Sequence, residues 1–182
     1  IVGSSNKCLE GVPGIGFVIV GSPVLVASEG NANSLSLDLY DQWKGFVENG
    51  QWRFTPPTHV LAALDQAISE HEAEGGVSGR GARYRKNCQS LIEGMESLGF
   101  KRYLSDNLQA PIIVTFSEPE HGAFKFENFY ELLKDRGFAI YPGKLTKVDS
   151  FRMGCIGDLD NDDMIAAVSA VRDVIVEMGI TL

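Results

Sequence analysis

A lysine set among small and turn-forming residues is the first place in this chain where chemistry could be done. Lys7 lies in Ser4-Ser5-Asn6-Lys7-Cys8-Leu9-Glu10-Gly11-Val12-Pro13-Gly14, between the apolar Ile1-Val2 and the apolar run Ile15-Gly16-Phe17-Val18-Ile19-Val20. Glycine, serine, asparagine and proline let the backbone turn sharply and come close to a ligand without Cβ clashes. If the flanking runs are buried strands, the Lys7 amine lies at their edge in a low-dielectric pocket, where desolvation disfavours the ammonium form. A neutral amine is a nucleophile, and a lysine prepared in this way forms a Schiff base with a carbonyl compound.

Arg152 is the second such residue. It stands alone among Phe151, Met153, Cys155 and Ile156, in a stretch that reads as a half-buried strand. A guanidinium in such surroundings needs a partner, and its planar fork matches a carboxylate bidentately. Asp149 or Asp158 could supply that carboxylate across a turn, and so could a bound acid. Thr55 is the third. It precedes Pro56-Pro57 and the apolar stripe Val60, Leu61, Leu64, Ala67 and Ile68, so it is expected to cap a helix. A helix N-terminus with a free hydroxyl also suits an anion.

The elements that must position these residues follow from periodicity. Leu35, Leu39, Trp43, Phe46 and Val47 recur at helical steps and predict a helix over 35–47, ended by Asn49-Gly50. The polar and flexible stretch Glu72-Ala73-Glu74-Gly75-Gly76-Val77-Ser78-Gly79 is read as a break between a first domain, 1–78, and a second, 79–182. A helix is expected from about Arg80 to Leu98, with Tyr84, Cys88, Leu91, Met95 and Leu98 on one stripe and Gly99 stopping it. Strands are expected over 100–104, 111–116, 138–141 and 150–156. Phe126, Phe129, Tyr130 and Leu133 predict another helix, ended by Gly137. The last helix starts at the cap-rich Asp160-Asn161-Asp162-Asp163 and buries Met164, Val168, Val171, Ile175 and Met178. Strands alternating with helices make the fold class α/β, with helices covering one sheet face.

Composition narrows the function. A net charge of −8 argues against nucleic acid as a partner, because phosphate backbones are bound by clustered lysine and arginine. The dense basic group Arg80, Arg83, Arg85 and Lys86 is expected to form a solvated helix face. No apolar run approaches the roughly 20 residues of a membrane span, so no membrane partner is expected. Cys8, Cys88 and Cys155 are odd in number and far apart in sequence, which suggests neither a disulfide framework nor a metal site, and a reducing cytoplasmic location is the simplest expectation. His59, His71 and His121 lack ligand spacing.

Three stretches carry a resemblance. Ser4-Ser5-Asn6-Lys7-Cys8-Leu9-Glu10-Gly11-Val12-Pro13-Gly14 resembles the cofactor-lysine segment of 2-aminoethylphosphonate–pyruvate transaminases, which are class V aminotransferases of the type I pyridoxal-phosphate fold. Trp52-Arg53-Phe54-Thr55-Pro56-Pro57-Thr58-His59 resembles the same family, as do Tyr141-Pro142-Gly143-Lys144 and Phe151-Arg152-Met153-Gly154-Cys155-Ile156-Gly157, all in the family's order.

The resemblance implies the C-terminal part of such an enzyme: a remnant of the large cofactor domain at 1–78 and a small α/β domain at 79–182. It implies pyridoxal 5′-phosphate on Lys7, a cofactor-phosphate contact from Thr55 to the neighbouring subunit of a homodimer, and a substrate carboxylate on Arg152. The expected substrates are 2-aminoethylphosphonate and pyruvate, giving phosphonoacetaldehyde and alanine. Arg53 and Lys144 are candidates for the phosphonate. One departure is visible: Gly3-Ser4-Ser5-Asn6-Lys7 stands where the family is expected to read Ser-Ser-Ala-Asn-Lys, which bears on hydroxyl contacts near the phosphate. The carboxylate that pairs with the pyridinium nitrogen and most of the phosphate loop are expected upstream of this sequence. The competing readings are another class V aminotransferase, of alanine–glyoxylate or serine–pyruvate type, and an inactive segment acting as an interaction module.

Overall fold

The computed structural model describes residues 1–143 and 148–181. Their contacts divide the chain into two units, Ile1–Glu70 and His71–Leu182.

In the first unit, β1 (Val2–Ser4) and β2 (Gly16–Val18) pair antiparallel, with Val2 opposite Val18 and Ser4 opposite Gly16. Gly3 lets the Phe17 ring lie close over the strand, since a Cβ would fall 2.4 Å from Cζ of that ring and would push it aside. Three helices follow: α1 (Ser22–Val26), α2 (Leu39–Asn49) and α3 (Thr58–Ala73). Helix α2 starts four residues after the predicted 35 because Asp38 takes the cap, its carboxylate accepting from the Asp41 amide at 3.0 Å; it ends at the left-handed Gly50, as expected.

The predicted apolar stripe of α2 is present but faces water: Leu39, Trp43, Phe46 and Val47 are all exposed, and Trp52 packs edge-on to Phe46. Helix α3 begins at Thr58, not beside Thr55. A residue that precedes proline is pushed out of the helical region, and both Thr55 and Pro56 do so, so the turn can close only after Pro57, whose carbonyl accepts from the Leu61 amide at 3.0 Å.

The second unit carries the packed core. It contains α4 (Gly76–Ser97), β3 (Ile113–Ser117), α5 (Phe126–Asp135), β4 (Tyr141–Pro142), β5 (Ser150–Gly154) and α6 (Asn161–Glu177). The strands form an antiparallel sheet in the order β3-β5-β4, with Thr115 and Tyr141 on either side of Arg152. Val114, Phe116, Phe151 and Met153 are buried together with Leu91 and Met95 of α4, Phe129 and Leu133 of α5, and Val171 and Val174 of α6. Phe151 is the hub, with the rings of Phe100, Phe116, Phe126 and Phe129 around it at centroid distances of 5.3–6.4 Å. Alternation along β3 and β5 gives one buried and one half-exposed face, as the α/β reading requires.

Helix α4 starts four residues before the predicted Arg80 and runs through the glycines read as a break. Gly75 and Gly76 take positive φ values of 98° and 63° and turn the chain, and Gly79 lets the Glu74 carbonyl approach to within 1.9 Å of where a Cβ would be. The predicted strand over 100–104 is reduced to a single bridge, Arg102 to Phe116, and that over 138–141 to the edge strand β4. At the other end, Asp160 caps α6 in a box with Asp163, as the acidic run foretells.

Candidate functional site

Lys7 sits at the tip of the loop joining β1 to β2. The loop is pinned at its neck by Ser5, the buried residue of the segment: its amide donates to the Ile15 carbonyl at 3.2 Å, its hydroxyl to the Val12 carbonyl at 2.6 Å, and its carbonyl accepts from Gly11 at 2.8 Å. Gly11 allows that closeness, since a Cβ would meet the Ser5 carbonyl oxygen at 2.9 Å. The tip is closed by the Glu10 amide donating to the Lys7 carbonyl at 2.8 Å, with Glu10 held at a φ of 60°, a left-handed conformation uncommon outside glycine. The backbone under Lys7 is therefore fixed.

The expectation that Lys7 is buried between core strands is not met. Lys7 is exposed, and so are Ile1, Val2, Val18, Ile19 and Val20. The reason is the amount of chain available: β1 and β2 have three residues each, and the first unit buries only Ser5 and Ala67 among its described residues. A sheet withdraws a side chain from water only when other elements cover its faces.

Thr55 is exposed too, lies outside any helix or strand three residues ahead of α3, and does not cap that helix. The loop and the start of α3 do meet, because a Cβ on Gly14 would lie 3.0 Å from Cγ2 of Val60, and Gly14 has a φ of 136°. Arg53, a candidate for phosphonate binding, has structural partners: its guanidinium is 3.0 Å from the Asp41 carboxylate, donates to the Leu35 carbonyl at 3.1 Å and lies over the Phe54 ring. Lys144 lies outside the described residues.

Arg152 is on β5, on the half-exposed face of the sheet. Its Nε donates to the Pro142 carbonyl at 3.2 Å and its guanidinium lies 5.8 Å from the centre of the Tyr141 ring. Neither Asp149 nor Asp158 pairs with it, and among the described residues it has no ion pair. One edge of the fork is thus held by backbone while the rest remains open to an anion. Tyr141 and Pro142 were read from sequence only as part of a motif; the pairing of β4 with β5 makes them the groups that orient Arg152. A cavity of about 1080 Å³ in this unit is lined by Lys101, Glu118, His121, Asp149 and Ser150 among others, and Arg152 is not among its described lining residues. Burial there raises the Glu118 carboxyl above its usual range, and Asp149 and Glu127 add to the effect.

One other expectation holds only in part. Half of the basic cluster is a solvated face, since Arg85 and Lys86 are exposed, but Arg80 is 4% exposed and its Nε donates to Glu74 at 2.5 Å. Arg83 reaches the same carboxylate at 2.7 Å and the carbonyls of Gly157 and Leu159 at 2.6 and 2.8 Å. Hydrogen bonding from Arg83 is the largest influence on Glu74, and with Arg80 it outweighs burial, holding the carboxyl down at about 2. Cys88 and Cys155 are thiols buried in the core, Cys8 is a half-buried thiol, and none of the three is in a disulfide.

The residues present suit an aldehyde cofactor in their chemistry, since the rigid loop presents a primary amine at its tip and an exposed hydroxyl precedes α3.

Comparison of folds defines the class. The chain superposes over its whole length on 48% of ureidoglycine–glyoxylate aminotransferase from Bacillus subtilis, with a TM-score of 0.84 at 19% sequence identity. The fold is that of the C-terminal part of a type I pyridoxal-phosphate-dependent transferase, as the sequence leads one to expect. No family model matches the chain. In sequence, the chain is 52% identical over 182 residues to 2-aminoethylphosphonate–pyruvate transaminase 1 of Burkholderia lata, covering all of this chain and 49% of that protein. It is 54% identical over 180 residues to 2-aminoethylphosphonate–pyruvate transaminase of Rhizobium meliloti, covering 99% and 47%. The resemblance read from three motifs thus extends along the whole sequence, and the chain spans about half the length of the curated relatives it matches. No helix among the described residues is long and apolar enough to cross a membrane.

Proposed function

We propose that this chain is part of a pyridoxal-phosphate-dependent aminotransferase that moves the amino group of 2-aminoethylphosphonate to pyruvate, giving phosphonoacetaldehyde and alanine. The observation that carries this reading is the identity of about half the residues, along the whole chain, with transaminases named for that donor and acceptor.

In this reading Lys7 binds the cofactor through its amine and then, once released, carries a proton between the substrate carbon and the cofactor. When bound, pyridoxal 5′-phosphate supplies the electron sink for the carbon that loses its proton. Arg152 takes the pyruvate carboxylate on the open side of its fork, the other side being fixed by Pro142. Thr55 donates its hydroxyl to the cofactor phosphate across the two-fold axis of a homodimer, a role its exposure permits. Residues 1–78 form part of the cofactor domain and 79–182 the small domain, with α4 beginning on the near side of that boundary. The desolvation that Lys7 needs comes from protein beyond these 182 residues, in keeping with relatives about twice as long. The 182 residues by themselves are then too exposed around Lys7 to hold the cofactor or turn over.

Steady-state alanine formation by the full-length enzyme, with 2-aminoethylphosphonate or serine as donor to pyruvate, and alanine-to-glyoxylate transfer beside them, tests the reading. The expected result is a kcat/KM for 2-aminoethylphosphonate above the others by about tenfold or more. Preference for serine or alanine would replace it with another aminotransferase of the same fold.

A further inference from the structure

Arg152 shares its side of the sheet with a threonine. Strands β3 and β5 run antiparallel with Thr115 opposite Arg152, and cross-strand partners point to the same side. Phe151 and Met153 go to the core, while Arg152 and Gly154 alternate with them onto the half-exposed side, together with Thr115. Two hydrogen bonds flanking the strands set the closeness of the pair: the Cys155 amide donates to the Ile112 carbonyl at 3.0 Å, and the Glu118 amide to the Asp149 carbonyl at 3.0 Å. Between these hydrogen-bonded pairs the antiparallel alternation makes Thr115 and Arg152 a non-hydrogen-bonded pair, the closer kind, with Cα atoms about 4.5 Å apart.

The two side chains are held differently. On the β4 side the Arg152 Nε is taken by the Pro142 carbonyl at 3.2 Å, and the Tyr141 ring centre lies 5.8 Å from the guanidinium carbon. On the β3 side stands Thr115, half-buried, and among the described residues no hydrogen bond engages its hydroxyl. Gly154, two residues along β5 on the same side, brings no side chain, and nothing lies within 4 Å of where its Cβ would be, so the strip beside the guanidinium is open at that end. Valine would suit the strand as well as threonine does; what threonine adds here is the hydroxyl.

We propose that the Thr115 hydroxyl is a second donor to the keto-acid carboxylate, an inference that rests on the placing of that carboxylate on Arg152. An ionised carboxylate offers about four acceptor positions, of which a bidentate guanidinium fills two. A hydroxyl on the flank fills a third without adding a second positive charge. The fork alone leaves the carboxylate free to tilt; a donor from the neighbouring strand fixes its plane, and with it the direction of the reacting carbonyl one carbon away. The selected acceptor is a small acid whose carbonyl adjoins its carboxylate. An amino donor that carries a phosphonate in place of a carboxylate gains nothing from Thr115.

Thr115→Val in the full-length holoenzyme keeps the shape and removes the hydroxyl. The KM for pyruvate is expected to rise about tenfold, while that for 2-aminoethylphosphonate stays within about twofold. Calorimetric titration with L-lactate, a carboxylate of the same size that cannot accept an amino group, should show a Kd weakened by about the same tenfold, and Thr115→Ser should recover most of both losses. The titration needs no amino donor and decides the matter whichever donor the enzyme takes. Thr115→Ala, which also lacks the hydroxyl, is expected to match Thr115→Val; a loss confined to the valine variant would trace to the sheet and overturn the proposal. An unchanged pyruvate KM and lactate Kd, an equal rise in both KM values, or no recovery by serine would overturn it as well. Arg152→Lys in the same assays separates the two assignments: no change in either variant removes the keto acid from Arg152 itself, whereas a rise in Arg152→Lys alone removes only Thr115.

Discussion

Replacing Glu74 by glutamine removes one charge from a joint on which the start of α4 depends. Its carboxylate takes Arg80 at 2.5 Å and Arg83 at 2.7 and 3.1 Å, and Arg83 passes the connection on to the segment before α6 through the Gly157 and Leu159 carbonyls. In the folded protein the Glu74 carboxyl is held at about 2 against an ordinary 4.5, chiefly by its hydrogen bond from Arg83. At about 1.4 kcal/mol for each pH unit of displacement this amounts to about 3 kcal/mol. Glu74 is one-quarter exposed, and solvent screening lowers the share that survives to about 2 kcal/mol. The substitution also removes the carboxylate to which the buried Arg80 Nε donates, so Glu74→Gln is expected to cost about 2–3 kcal/mol at neutral pH.

The folded-state value is depressed, so this stability is fully present above about 4.5 and is lost as the pH falls toward 2. Equilibrium urea unfolding of full-length wild type and Glu74→Gln should therefore show midpoints far apart at pH 7 that converge in acid. Equal midpoints at pH 7, or a gap that does not narrow between pH 5 and pH 3, would refute the reasoning.

Arg152→Lys keeps the charge but loses the fork, and the KM for pyruvate should rise about 10–100-fold with folding unchanged; an unaltered KM would show that the carboxylate binds elsewhere. Gly94→Ala puts a Cβ 2.7 Å from Cγ2 of Val168, where α4 and α6 touch, and should cost about 1–3 kcal/mol in urea unfolding. Asp160→Ala removes the acceptor for the Asp162 and Asp163 amides at the head of α6 and should cost about 1 kcal/mol. The isolated 182-residue chain, mixed with pyridoxal 5′-phosphate, should show no stoichiometric cofactor absorbance; a stoichiometric band would contradict the dependence of Lys7 on further protein.

What could be read in advance follows from where the free energy lies. Helices α5 and α6 and strands β3 and β5 were legible because their periodicity is the pattern of a core that this chain itself completes around Phe151. Glycine misled in α4, since Gly79 is there for the close approach of Glu74 and not to end a helix. The Thr55-Pro56-Pro57 sequence misled in the other direction, for a second proline delays the turn that the first would open. Around Lys7 the residue types and the bend were legible, but burial is a property of what packs on a segment, and the exposed Trp43, Phe46 and Val47 of α2 show how little of it the first unit supplies. The meeting of Glu74 with Arg83 left no mark in sequence, because it is made by tertiary structure, at a turn between helices.

The attachment of the cofactor is the claim on which the functional account stands. Borohydride reduction of the full-length enzyme with pyridoxal 5′-phosphate, followed by peptide mapping, measures it directly. A single modified peptide carrying the label on Lys7 is the predicted result; label on another lysine, or an unmodified Lys7 in active enzyme, would contradict it.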